Sequence, residues 1–99
     1  MPEETYTFRG KYIPSRMMPS LKRYVEQGII PGHFLQAVIR DSLADALMYA
    51  DDENIENIHA YAGFFFNKVP SDAWRSKEKM LAWNKRGGLA GPPINEGGA

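Results

Sequence analysis

Proline and glycine cut this chain into short pieces, and that punctuation constrains the fold more than any other feature. Pro14 and Pro19 precede the first apolar-periodic stretch, Gly28 and Pro31-Gly32 separate it from the next, Pro70 follows a third, and Gly87-Gly88 close a last. Proline is tolerated only in the first turn of a helix, and glycine is the residue that most readily ends one. Between these points the apolar residues recur mostly at spacings of three and four, the period of a helix face. The expected fold class is therefore all-α: a small bundle of four or five short helices with an extended N-terminal arm and a flexible C-terminal tail.

The first helix should open near Met18 or Pro19, bury Leu21, Tyr24 and Val25, and stop at Gly28. Pro31 suits the first position of a second helix, whose stripe Leu35, Val38, Ile39, Leu43, Ala46, Leu47 and Ala50 reads as core-facing. It can bend at Asp41-Ser42, where either residue can cap a new helix. Asp51 or Asp52 should cap a third, with Glu53 and Glu56 in its first turns and Ile55, Ile58, Ala62 and Phe65 as its stripe. Ser71 and Ser76 are candidate caps for a turn holding Trp74 and for a last helix, roughly residues 77–85, carrying Met80, Leu81 and Trp83. Before the first helix, Tyr6, Phe8, Tyr12 and Ile13 alternate only partly and Gly10 interrupts them. An isolated hairpin is marginal in water, so residues 1–13 read as an arm laying aromatics on the helices. Residues 1–86 form one helical domain, and the Gly- and Pro-rich residues 87–99 form the flexible tail.

At 99 residues the chain fits a single core, and its 43% hydrophobic and 24% charged content is that of a globular domain. A core of this size leaves stability modest, which makes a homo-oligomer the expected state. There are no cysteines, so disulfides, thiolate metal sites and thiol nucleophiles are excluded. The longest apolar run, from Ala60 to Phe66, is far short of a membrane span, and the acidic N-terminus lacks the pattern of a secretion signal. No membrane partner is expected, and the reading is cytoplasmic. Net charge is zero but segregated. Residues 41–56 carry Asp41, Asp45, Asp51, Asp52, Glu53 and Glu56 with no base, whereas residues 68–86 carry six bases against Asp72 and Glu78. Such a dipole can orient a charged or identical neighbour, or it can merely complement helix macrodipoles.

Catalytic motifs are absent, and the expectation is a protein that is not an enzyme, with no catalytic residue, metal or cofactor. Glu56 and His59 have the Glu-x-x-His spacing of di-iron bundles, but that chemistry needs a second copy and two further carboxylates. His33 falls in a first helical turn, the serines precede helical runs as caps, and Gly87-Gly88-Leu89-Ala90-Gly91 lacks the lysine of a phosphate loop. The N-terminal region does interleave cations with aromatics. Arg9, Lys11, Tyr12, Arg16, Lys22 and Arg23 are the candidate ligand-binding residues, because cations hold phosphates while rings stack on bases. The alternative is that the rings anchor the core and the cations are solvated around them. A pI near 6.7 argues against a dedicated nucleic-acid binder and leaves a nucleotide as the conceivable ligand. Phe64, Phe65 and Phe66 cannot all face one core, since consecutive helical residues lie about 100° apart. Phe65 continues the core stripe, so Tyr61 and Phe64, three residues apart, are the candidate interface pair.

The stretch Arg16-Met17-Met18-Pro19-Ser20-Leu21-Lys22-Arg23-Tyr24-Val25-Glu26-Gln27-Gly28-Ile29-Ile30-Pro31-Gly32-His33-Phe34-Leu35-Gln36-Ala37-Val38-Ile39, followed by Ala50-Asp51-Asp52-Glu53-Asn54 and Ala60-Tyr61, resembles small accessory proteins encoded by tailed bacteriophages. The likeness spans about residues 12–83. It implies expression in the cytoplasm of an infected bacterium and a non-enzymatic role in counter-defence or host takeover, with a host or host-defence protein as partner. The alternative from a different class is an oligomeric small-ligand binder that sequesters a nucleotide signal.

Overall fold

The structure, a computed structural model, describes residues 5–91. They form two short strands, β1 (Tyr6–Phe8) and β2 (Lys11–Ile13), then six helices: α1 (Met18–Gln27), α2 (His33–Ile39), α3 (Leu43–Tyr49), α4 (Asp52–Glu56), α5 (Ile58–Lys68) and α6 (Lys77–Arg86). Single 3-10 turns at Ser15–Met17, Ser71–Ala73 and Gly88–Ala90 join or follow them. The helical class is as expected from the punctuation, with six helices rather than four or five because two of the four periodic runs each break once.

The first break lies between α2 and α3. Asp41 turns the chain with φ of 62°, and Ser42 takes the cap position of α3 without a side-chain capping bond. The second lies at Asn57, which ends α4 and precedes α5. Asp51 caps α4 by accepting the Asn54 N–H at 2.8 Å, and the Ser76 hydroxyl caps α6 by accepting the Lys79 N–H at 3.1 Å. Pro31 sits one residue ahead of the α2 cap, because the extended Gly32 takes the cap position itself. At the other end of α1, Gly28 adopts φ of 73° and donates its N–H to the Tyr24 carbonyl at 2.8 Å.

The N-terminal arm is a hairpin rather than an unpaired extension. Arg9 and Gly10 both have positive φ, the two-residue turn that matches strand twist, and Tyr6, Thr7 and Phe8 pair with Ile13, Tyr12 and Lys11. Its marginal intrinsic stability is overcome by packing on α5. The Tyr6 ring meets Phe64 edge-on at 5.4 Å, and a Cβ on Gly63 would lie 2.6 Å from the Phe8 ring, so only glycine admits that ring. Ile13 is fully buried, and the Tyr12 N–H donates to the Asn57 side chain at 2.9 Å. Asn57 in turn donates to the Glu53 carbonyl at 2.9 Å, so the residue that breaks the helix also fastens the hairpin.

The core gathers Ile13, Leu21, Tyr24, Leu35, Ile39, Tyr61, Phe65 and Trp83. The Tyr24 hydroxyl donates to the Ala73 carbonyl at 2.6 Å, and Tyr61 donates to the buried Asn54 side chain at 2.6 Å. Burial pushes both phenols above their ordinary range. Gly87 ends α6, but the segment after it, expected to be loose from Gly87 onward, begins with an ordered turn. Gly88 is buried against the end of α1, and the rest of the expected tail, residues 92–99, lies outside the described residues, as do residues 1–4 of the arm.

Candidate functional site

Helix α3 does not present its stripe to the core. Of the residues assigned there by periodicity, Ala46 is buried, but Leu43 and Leu47 are 67% and 47% exposed, and Met48 beside them is 72% exposed. The cause is the left-handed Asp41, which resets the helical phase, so α3 turns a small alanine inward and its large residues outward. Tyr49 stacks on His33 with ring centroids 5.1 Å apart. Asp41 lies at one end of this face, and Asp45 is held by Arg40 at 3.2 Å.

Between α3 and α5 lies a pocket of about 110 Å³ lined by Val38, Leu43, Ala46, Ile58, Ala62 and Trp74. Ala62, expected in the core, is exposed here, and Phe66, one turn on, is 71% exposed. The three phenylalanines thus divide differently from the sequence reading. Phe65 is the core residue, as expected, but Tyr61 is 0% exposed and belongs to the core rather than to an interface. Phe64 is half-buried between Tyr6 and Phe65, because the hairpin covers its side of the helix. The outward ring is that of Phe66.

The candidate ligand residues are mostly not brought together. Arg9 lies at the hairpin turn with its guanidinium 5.3 Å from the Phe8 ring centre, and Lys11 is exposed on β2. Arg23 donates to Ser20 at 3.2 Å, while Lys22 lines a groove with Tyr6, Phe64 and Lys68 on another side of α1. Only Tyr12 and Arg16 share a cleft, of about 330 Å³, with Thr5, Pro14, Ser15 and Glu53. There Arg16 bridges Asp51 at 2.9 Å and Glu53 at 3.2 Å, and the Tyr12 hydroxyl donates to Glu53 at 2.6 Å.

These contacts shift the acids and the phenol in predictable directions. The Tyr12 hydroxyl bond and then Arg16 hold Glu53 below the usual carboxylate range; the Asn54 backbone bond and then Arg16 do the same for Asp51. The bond to Glu53 raises Tyr12. A carboxyl depressed in the folded state contributes stability that is present above its unfolded pKa and is lost as pH falls through and below it. Thermal melts from pH 6 to pH 3 should therefore fall as these two groups protonate, and the fall should be shallower in Arg16→Met. The effect should be small, because the cluster faces solvent and salt screens it.

Glu56 and His59 do not share a helix face. Glu56 ends α4, His59 lies in α5 beyond the break at Asn57, and the His59 ring meets Phe8 edge-on at 5.2 Å. Among the described residues no group of three His, Asp or Glu side chains is arranged to hold a metal ion, and no helix is long and apolar enough to cross a membrane. No protein-family model, curated protein or solved structure matches the chain.

Proposed function

We propose that this chain is a non-enzymatic binding protein that holds a protein partner on the outer face of α3. The observation that carries the reading is the exposure of Leu43, Leu47 and Met48 on a helix of seven residues. Clustered apolar side chains facing water are worth roughly 1.5–3 kcal/mol each when a partner buries them. The charge around them defines the partner's chemistry. Of the six acids in residues 41–56, Asp45 pairs with Arg40, and Asp51 and Glu53 pair with Arg16, so the complementary surface is chiefly apolar, with a basic group toward Asp41 at the end of the face. The resemblance to phage accessory proteins supports a host or host-defence component as the target, and counter-defence or host takeover as the role. The test compares wild type with Leu47→Ser/Met48→Ser as baits in bacterial lysate, after matching their melting temperatures. A protein retained by wild type, released by raised salt and absent from the variant supports the reading; identical retention by both overturns it.

A second reading, nucleotide sequestration, is favoured by one observation: an exposed ring, Tyr12, and a guanidinium, Arg16, share one open cleft. The ring can stack on a base while Arg16 pairs a phosphate, displacing Glu53 or Asp51 from it. Native mass spectrometry of freshly purified protein should then show a nucleotide mass that Arg16→Ala loses. Bare protein in both samples would overturn this reading.

A further inference from the structure

We infer that the open slot beside α5, surrounded by aromatic rings and flanked by two arginines, stacks an unpaired base of a single-stranded nucleic acid. The slot, of about 260 Å³, is lined by Phe8, His59, Ala62, Gly63, Phe66 and Trp74. Ala62 and Gly63 are its small members, so four rings stand around a stretch of helix that offers little more than backbone. Phe8 reaches it from the hairpin over Gly63, and Trp74 from the opposite flank, where it also lines the pocket beside α3. The Phe8 ring is fixed edge-on against His59 at 5.2 Å, while Phe66 is 71% exposed. Such rings hold a base whatever its sequence, because every base offers a π-face.

The arginines decide what kind of ring enters. Each flanking aromatic is followed in the chain by an arginine that lies against it: the Arg9 guanidinium is 5.3 Å from the Phe8 ring centre, and that of Arg75 is 4.8 Å from the Trp74 ring centre. Among the described residues neither guanidinium pairs with a carboxylate. A quaternary ammonium suits a cage of bare rings but is repelled by two guanidiniums, so the ligand is anionic. Cations on both flanks of one slot match a strand, which carries a phosphate on each side of every internal base. A mononucleotide carries its phosphates on one side, and an apolar protein side chain leaves both cations idle.

The backbone at these two positions points the same way. Arg9 has φ of 53° and Arg75 φ of 99°, both in the left-handed region that favours glycine. A hairpin turn of this kind prefers asparagine ahead of its glycine, so the fold does not ask for arginine at position 9. Arg75 is pinned by its N–H, which donates to the Ile39 carbonyl at 2.7 Å. Strain that folding does not require gathers where a side chain has work to do. Net charge is zero, so the attraction is local, resting on two cations and the stack between them. Leu47, Met48 and the Tyr12–Arg16 cleft lie outside the slot, which goes beyond both readings above.

Fluorescence anisotropy of a labelled oligothymidylate of about 12 nucleotides tests the inference. Wild type should bind it at low salt with Kd between about 1 and 100 µM. Phe66→Ala should weaken binding roughly tenfold with an unchanged melt. Arg9→Asn and Arg75→Gly should each weaken it and lower the slope of log Kd against log salt by about 0.7, the share of one phosphate contact on a single strand. Each should nevertheless melt no lower than wild type, because the left-handed strain is relieved. Oligouridylate of the same length should compete, whereas duplex DNA should not, since its bases are already stacked and paired. Leu47→Ser/Met48→Ser and Arg16→Ala should bind as wild type does, so failure of this site and failure of either reading above are seen separately. No binding up to about 200 µM overturns the inference, as does binding indifferent to Phe66→Ala or to both arginine variants. Adenosine monophosphate or duplex competing as well as the single strand overturns it too.

Discussion

Trp83→Ala removes roughly 3–5 kcal/mol of stability, a large part of the roughly 5–15 kcal/mol that a domain of this kind possesses. The ring is fully buried, and its loss empties the seam between α6 and α1. Its Nε1–H is shared between the Tyr24 carbonyl at 3.0 Å, which also accepts the Gly28 N–H, and the Val25 carbonyl at 3.2 Å, in the last turn of α1 where helical carbonyls run short of intrahelical partners. Trp83→Phe keeps most of the volume but leaves those carbonyls without the indole donor, so it should cost about 1–3 kcal/mol. Urea unfolding followed by far-ultraviolet dichroism should rank wild type, Trp83→Phe and Trp83→Ala in that order. Equal costs for the two variants would mean that the hydrogen bonds, not the packing, carry the site.

Gly88→Ala is the second large effect. Gly88 has φ of 72°, and a Cβ there would lie 2.5 Å from the backbone nitrogens of Gln27 and Gly28. The left-handed conformation alone costs about 1–3 kcal/mol for a residue with a side chain, and the backbone clash adds to it, since neither nitrogen can move without unwinding the end of α1. Gly87 supplies the control. Its φ is 88°, but the nearest atom to an added Cβ is 3.8 Å away, so Gly87→Ala should carry the conformational cost without the clash. At roughly 4–8 °C per kcal/mol for a domain of this size, Gly88→Ala should melt well below Gly87→Ala. Equal melting temperatures would show that the turn after α6 does not press on α1.

The sequence was informative where physics is local. Gly28 and Gly87 end helices because they alone enter the left-handed region cheaply; Asp51 and Ser76 cap helices because their side chains reach a free N–H three residues on. Leu21, Tyr24, Val25 and Phe65 lie on apolar stripes that stay on one helix, and all four are buried. Of the candidate site, the open cation–aromatic cleft was half legible, since Tyr12 and Arg16 are four residues apart and remain together, while Asp51 and Glu53 come from a distant helix to pair with them.

What periodicity could not carry was phase across a break. Asp41 resets the helix, so Leu43 and Leu47 rotate outward while Ala46 turns in; on α5 the buried face centres on Tyr61 and Phe65, which leaves Ala62, about 100° round from Tyr61, exposed where the stripe placed it in the core. The hairpin is likewise a tertiary product: the turn signal of Arg9-Gly10 is present in the chain, but the stabilising contacts are Phe8 on Gly63 and Tyr6 on Phe64, more than fifty residues away. Packing also decides which aromatic faces water: Phe34 and Asn54 hold Tyr61 in the core, the hairpin half-covers Phe64, and Phe66 stays open. Helix formation, the caps at Asp51 and Ser76 and the absence of thiol chemistry were thus determined by the sequence alone, because each depends on a few neighbouring residues. Which faces met and which stayed open was decided only when the elements packed, because burial is a property of the surface opposite.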